Sequence, residues 1–326
     1  MKNPVEDISS HLENDMNAVN AIILERMDSH VPLVKQLAGY LIAAGGKRVR
    51  PLLTLASTAI HDGDMSRAHL LAACVEFIHT ATLLHDDVVD ESDERRGQAT
   101  ANEIFGNQAS VLVGDFLFSR AFQMMVDDGN IDILRILSDA SAIIAQGEVL
   151  QLSTANNIDT TMEDYTAVIK AKTAALFAAA CEVGPVIAGC HSGQAEAMAE
   201  YGMNLGIAFQ IVDDVLDYSA NQEKLGKTIG DDFREGKMTA PVLYAIEKAD
   251  EEEKSFWARV ITDNDKNDDD LPHAIALMQK HSALEQSMTL ARQYAGKAED
   301  ALSIAPDGAL KDMLSSLIKF TIERDY

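Results

Sequence analysis

The chain has 326 residues, 47% hydrophobic and 6% aromatic, enough to bury a sizeable core as one large domain. A formal net charge of −25 and a sequence pI of about 4.6 argue against nucleic acid, which is bound largely through phosphate neutralisation, and against anionic lipid surfaces. Cys74, Cys181 and Cys190 match no zinc spacing and read as reduced, mostly buried thiols of a cytoplasmic protein.

The first 15 residues are polar and acidic, unlike a signal peptide. No stretch of about 18 residues or more is continuously apolar, so no transmembrane helix is predicted. Abundant Ala, Leu, Ile, Met, Glu and Gln, with Pro at only 7, favour helix. Helical periodicity covers Met16–Met27 and Leu33–Ala44, the latter stopped by Gly45-Gly46. Pro51 opens an apolar segment reaching about His61, and Ser66 is placed to cap a helix running from Ala68 to Asp90. The charged residues Glu91–Gln98 read as a loop. Further helices are predicted over Ala109–Val126, Ile131–Ala155, Met162–Gly184, Gln194–Tyr218, Ala240–Lys248 and Phe256–Thr262, with two or three more after Pro272. Loops fall at Asn156–Thr161, Ser219–Lys237 and Asn264–Asp270, and the acidic last one reads as a solvated turn rather than a metal loop. With no repeat and no linker composition, residues 1–326 read as a single all-α domain.

Two of these helices end in the same acidic pattern, Asp86–Asp90 (DDVVD) and Asp213–Asp217 (DDVLD). Aspartates at i and i+4 share a helix face, and the one at i+1 stands about 100° round from the first. The approaches, HTATLLH and GIAFQIV, are apolar enough to be buried, which would carry the carboxylates into the protein. Negative charge there opposes the helix macrodipole, and burying like charges is costly without a cation. Hard divalent cations meet that need, and Mg²⁺ typically takes one or two carboxylates and completes its shell with water and phosphate oxygens. One such motif is weak evidence. Two, each closing an apolar helix, point to metal ions bridging to an anionic substrate such as a diphosphate.

The cations sit where that reading needs them. GGKRVRP offers Lys47, Arg48 and Arg50, and ERRG offers Arg95 and Arg96 just after the first aspartate segment. Lys227 and Lys237 follow the second segment, and Lys172 lies in a helix beside an apolar stripe, where it needs a partner. These are 8 of the 27 Lys and Arg residues, gathered at motif edges in a strongly acidic chain. Arg suits bidentate grips on phosphate oxygens, and Lys supplies a point charge. His79 lies two turns before Asp86 on nearly the same face and is placed to donate to a phosphate. His85, adjacent to the aspartates, is given a structural role only.

As a set, GGKRVRP, EFIHTATLLHDDVVDESDERRG, GEVLQL, KAKTAALF, FQIVDDVLDY and LGKTIGDDFREGKMTAPVLYA resemble the trans-isoprenyl diphosphate synthases over nearly the whole chain. Within that family the chain is most similar to the long-chain octaprenyl, solanesyl and decaprenyl diphosphate synthases that make quinone side chains. Glu94 and Gln98 depart from common family residues without touching the activity. The resemblance implies an isoprenoid-synthase-type bundle of long helices around a central cavity, with the two aspartate helices facing each other, and a homodimer. It implies that Asp86, Asp87, Asp90, Asp213, Asp214 and Asp217 hold Mg²⁺, up to three ions, against the diphosphate of an allylic primer. Arg95, Lys172, Lys227 and Lys237 are implied contacts of that diphosphate, and Lys47, Arg50, His79 and Arg96 of isopentenyl diphosphate. Thr173 and Gln210 match positions that steady the allylic cation, alongside Lys172, and Arg324 is implied near the isopentenyl site.

The implied reaction ionises an allylic C–O bond, adds the isopentenyl double bond to the resulting cation, and loses a proton to the released diphosphate. Metal ions and cationic side chains stabilise the leaving group, and apolar helices keep out water that would quench the cation. Chain length depends on the space below the metals. Thr82 and Ala81, four and five residues before Asp86, are small and leave a tunnel open, with a floor expected around Met124–Met125 and Leu137. The expected product is an all-trans chain of about C40 to C50, with a medium-chain product, such as geranylgeranyl diphosphate, as the alternative. A terpene cyclase is disfavoured by DDVLD and GGKRVRP, and a non-catalytic partner subunit by the presence of both aspartate motifs.

Overall fold

A computed structural model describes residues 3–44, 46–95, 97–219 and 229–323, without the side chains of 42–44. In chain order the helices are α1 (Pro4–His11), α2 (Glu13–Arg26), α3 (Pro32–Ala44), α4 (Val49–Ile60), α5 (Met65–Val89), α6 (Ala101–Phe105), α7 (Asn107–Asp128), α8 (Ile131–Thr154), α9 (Met162–Ile169), a π-helical turn at Lys170–Ala174, α10 (Ala175–Ile187) and α11 (Ser192–Ser219). Beyond them lie Asp231–Arg234, Ala240–Glu247, Glu251–Trp257 with a second π turn at Ala258–Thr262, Asp270–Lys280, Ala283–Leu302 and Ala309–Glu323. The strands among the described residues are β1 (Glu94–Arg95) and β2 (Gln98–Ala99), an antiparallel pair inside the predicted Glu91–Gln98 loop, with Glu94 opposite Ala99. The all-α expectation holds.

The chain forms two compact units. The first comprises Met1–Ser141, Leu176–Gly202 and Asp300–Leu317, and the second Ala142–Ala175, Met203–Glu299 and Ile318–Tyr326.

In the first unit α5 packs against α7, α4 and α2. At 25 residues it is about 37 Å long. Its N-cap is Asp64, whose carboxylate accepts the Ser66 N–H at 2.9 Å; the predicted cap, Ser66, lies inside the helix. An anion is favoured over a neutral hydroxyl at the positive helix end. Leu71, Val75, Ile78 and Leu84 are buried, and Ala68, Ala72, Ala73 and Ala81 let neighbouring helices approach closely. The α7 backbone passes so near that a Cβ on Gly114 would lie 2.2 Å from the His85 ring. Both α5 and α7 have the length and mean hydropathy of a membrane span; 61% of the apolar window in α5 is buried, as in a core helix. Helix α1 was not anticipated. Asn3 caps it by accepting the Val5 N–H, and Pro4 opens its first turn.

Helix α10 runs through Pro185, where sequence alone stops at Gly184. Proline has no N–H for the carbonyl four residues earlier. The buried hydroxyl of Ser57 donates to that carbonyl, Cys181, so the helix continues without an orphan acceptor. Cys74 and Cys181 are buried thiols, both pushed upward in pKa by burial.

In the second unit Tyr165, Ile207, Ile211, Val212, Tyr218, Phe233 and Trp257 belong to one buried apolar cluster, which holds the end of α11. The Asn264–Asp270 loop is closed by a fork in which the Arg259 guanidinium meets both Asp270 oxygens, at 2.6 and 3.0 Å. Asp270 is therefore buried and paired, although the rest of the loop is the solvated turn its composition suggests.

Candidate active site

The first aspartate segment closes α5, and the three carboxylates take different environments. Asp86 and Asp90 are partly exposed, whereas Asp87, about 100° round, is buried. The Arg95 guanidinium folds back from β1 and donates to Asp87 Oδ1 through Nε at 2.9 Å and Nη2 at 2.7 Å. Beyond the helix, the Ser92 carbonyl accepts from Thr100 Oγ1 and Asn102 Nδ2, tying the hairpin down. On the other side, His85 Nε2 donates to the Val111 carbonyl at 3.1 Å, with its ring stacked on Phe118. A carbonyl only accepts, so this contact sets the tautomer.

In the same unit the GGKR turn enters α4. Lys47 is exposed and Arg48 adopts φ 49 as the N-cap, its guanidinium paired with the buried Glu76 at 2.8 Å. Arg50 lies 3.1 Å from His79 Nε2 and 4.5 Å over the Phe177 ring. Two predicted isopentenyl diphosphate contacts are thus neighbours. Burial lowers Arg50 to about 10, against the pull of Glu76, and its Nε is buried without a hydrogen bond. A half-buried guanidinium whose enclosed Nε has an unused donor is suited to an oxyanion.

The second aspartate segment, in α11, repeats the division. Asp213 and Asp217 are partly exposed and Asp214 is buried. The Tyr165 hydroxyl donates to Asp214 Oδ2 at 2.6 Å, and Gln210 Nε2 donates to Oδ1 at 2.8 Å. Burial nonetheless pushes Asp214 up to about 7, with Asp213 adding repulsion and Lys237 opposing it. The Asp217 carboxylate accepts the N–H groups of Asp231 and Asp232, at 3.3 and 3.1 Å, and so caps the helix Asp231–Arg234. Asp232 joins the cluster. Burial first, then Asp214 and Asp217, push its carboxyl well above the usual range, and Lys237 lies 3.8 Å away. Lys237 also pairs with Glu235.

Lys172 and Thr173 lie on the π turn between α9 and α10. This turn fits against α8 because residue 147 is glycine: a Cβ there would sit 2.7 Å from Ala171 Cβ and 3.0 Å from Lys172 N. The next residue of α8, Glu148, is the partner Lys172 needs, with Nζ 2.7 Å from Oε2. Thr173 Oγ1 donates to Gln210 Oε1 at 2.8 Å, joining the two residues assigned to the allylic cation.

The donor set fits Mg²⁺. Each unit presents partly exposed carboxylates beside a buried one, and Asp214 and Asp232 are raised by burial first and then by neighbouring carboxylates, a repulsion that a cation would relieve. Among the described residues no three His, Cys, Asp or Glu side chains converge as a ready-made cage. Of the chain-length positions, Ala81, Met125 and Leu137 are buried in the first unit, and Thr82 is partly buried with its hydroxyl on the His79 carbonyl. Arg96, Lys227 and Arg324 lie outside the described residues. Sequence reasoning assigned no role to Glu76, Glu148, Tyr165 or Asp232. Glu148 follows a mid-helix glycine and Asp232 precedes Lys237 by one helical turn and a residue, whereas nothing local marks Tyr165 or Glu76.

Residues 31–278 match the family Polyprenyl synthetase. The chain is 44% identical over 322 residues to the octaprenyl diphosphate synthase of Haemophilus influenzae, covering 99% of this chain and 98% of that one. It superposes on the crystal structure of a decaprenyl diphosphate synthase from Rhodobacter capsulatus with a TM-score of 0.94 and 52% identity, over 99% of each chain. The polyprenyl synthase of Caulobacter crescentus CB15, complexed with calcium and isoprenyl diphosphate, gives a TM-score of 0.95 and 47% identity over 99% of this chain and 98% of that one. An all-α fold and 44–52% identity shared along its length with these enzymes, and the family match over residues 31–278, make the chain a member of the polyprenyl synthetase family.

Proposed function

We propose that this protein is a Mg²⁺-dependent prenyltransferase that elongates an allylic diphosphate by successive 1′-4 condensations with isopentenyl diphosphate. The product is an all-trans polyprenyl diphosphate of about C40 to C50, suited to become a quinone side chain. The observation that carries this reading is full-length similarity to enzymes named octaprenyl and decaprenyl diphosphate synthase, at 44% and 52% identity.

The residues supply the chemistry as follows. Asp86 and Asp90 in one unit, and Asp213 and Asp217 in the other, would hold Mg²⁺, with Asp87 and Asp214 behind them. Bound Mg²⁺ supplies Lewis acidity toward the diphosphate leaving group. Lys172 and Lys237 add positive charge for the same anion, and Arg95 exchanges its grip on Asp87 for phosphate oxygens. Arg50, with its unused Nε, and its neighbour His79 bind the isopentenyl diphosphate. Thr173 Oγ1 offers lone-pair density to the allylic carbon as its C–O bond breaks. The isopentenyl double bond then forms the new C–C bond, and the proton leaves with the released diphosphate.

A homodimer is part of the reading. Leu112, Phe122 and Val126 on α7 are 66%, 45% and 66% exposed, an apolar face suited to a second copy. Purified chain with Mg²⁺, isopentenyl diphosphate and a short allylic diphosphate should yield a long-chain product by mass spectrometry. Absence of any chain elongation would reject the reading, and a C20 product would reject the long-chain part alone.

A further inference from the structure

We propose that Tyr165 is a positioning residue for prenyl transfer, acting through Asp214 and Gln210 to fix which way the Thr173 hydroxyl points. The proposal rests on the functional reading above.

Three hydrogen bonds run in series within the second unit. The Tyr165 hydroxyl donates to Asp214 Oδ2 at 2.6 Å, Gln210 Nε2 donates to Asp214 Oδ1 at 2.8 Å, and Thr173 Oγ1 donates to Gln210 Oε1 at 2.8 Å. The polarity follows from donor inventories. An ionised carboxylate only accepts, so with Asp214 ionised the nitrogen end of the Gln210 amide must face it. The oxygen end then faces Thr173 and takes its single hydroxyl proton. What remains on Thr173 Oγ1, directed away from Gln210, is lone-pair density. A reversed amide would free the Thr173 proton to point outward, and the positive end of that O–H dipole would repel a developing carbocation. The orientation of one small hydroxyl is therefore set by a carboxylate two links away.

Tyr165 anchors the relay. It is 4% exposed and packed in the cluster with Ile169, Ile207 and Ile211, while Asp214 is 4% exposed and Thr173 9%. Its single hydroxyl proton goes to Asp214 Oδ2, so it is the donor at that end of the relay. It holds Asp214 Oδ2 on the core side and leaves Oδ1 for Gln210. Thr173 itself is placed by the π turn, which Gly147 admits against α8. Backbone geometry sets where the hydroxyl is, and the relay sets how it is turned.

A double-mutant cycle tests this, read as the single-turnover rate of the first condensation. Tyr165→Phe, which deletes only the hydroxyl, should slow that step by about 10- to 100-fold, the usual effect of losing an outer orienting partner. The KM for isopentenyl diphosphate should stay within about twofold. In a Thr173→Val background, where no hydroxyl remains to orient, Tyr165→Phe should change the rate by less than about twofold. In a Thr173→Ser background the full effect should return. If Tyr165→Phe does not fold, Tyr165→Met, which fills similar space without a hydroxyl, takes its place and should be equally silent with Thr173→Val. Slowdowns that multiply in the Thr173→Val background would overturn the proposal. A Tyr165→Phe enzyme with an unchanged single-turnover rate would overturn it too. If the wild-type chain forms no condensation product, the functional reading falls and takes the relay with it. A wild type that elongates while the effects multiply overturns the relay alone.

Discussion

The second aspartate of each acidic segment is buried and clasped while the first and third remain partly exposed. Helical geometry accounts for the division, because the i+1 residue is rotated about 100° toward the core from the face that i and i+4 share. Asp87→Asn should therefore act on stability as well as activity. It breaks a pair whose acidic side chain is 6% exposed and whose basic side chain is 38% exposed. Allowing for that solvent screening, the loss should be about 1–3 kcal/mol by chemical denaturation. An unchanged midpoint would mean that Arg95 is held by something other than Asp87. Asp214 gives a pH dependence. Its carboxyl is raised from 3.8 to about 7 by burial, so the folded protein holds this proton more tightly than the unfolded chain. Its contribution to stability is then present below about pH 4 and is lost as pH rises to about 7. Mg²⁺ with a non-hydrolysable diphosphate neutralises the ionised cluster. The rise in Tm on adding them should be larger at about pH 8 than at about pH 5. An equal rise at both would contradict the cation assignment.

At the scale of elements, the π turn at Lys170–Ala174 and Gly147 of α8 form one device. Gly147→Ala would push α8 away from Ala171 and the Lys172 amide. The expected results are a loss of about 1–3 kcal/mol by chemical denaturation and a raised KM for the allylic diphosphate, with the isopentenyl KM spared. Equal effects on both substrates would show that the turn does not carry an allylic contact. Helix α5 carries the chain-length prediction. Ala81 is fully buried one turn before the first aspartates. Ala81→Phe should shorten the product in chromatography of the dephosphorylated alcohols. An active variant making the wild-type product would place the growing chain elsewhere.

At the scale of the whole molecule, the exposed apolar residues of α7 are a feature that a lone chain leaves unexplained. Phe122→Glu together with Leu112→Glu should convert a dimer to a monomer by light scattering, with no more than a small change in helicity. Both positions are exposed, so a folding defect is not expected from burying charge. A wild type that is itself monomeric at micromolar concentration would remove the dimer from the proposal.

Much was legible before folding. Amphipathic periodicity located the long helices to within a few residues, since the pattern is local and repeats every turn. The two DDxxD segments, Arg50 with His79, and Thr173 with Gln210 could be named from residue type, spacing and resemblance. The missing pieces are non-local. A π turn depends on a glycine in another helix, passage through Pro185 depends on a serine 124 residues before the Cys181 carbonyl it serves, and Tyr165 meets Asp214 across 49 positions. Sequence alone determined the class of chemistry, because residue type and spacing set which donors, acceptors and potential charges a site can offer. Only the tertiary structure decided which carboxylate of each triplet is buried, which partner each cation keeps and which way each hydroxyl points, because burial and hydrogen-bond polarity exist only once distant segments are packed together.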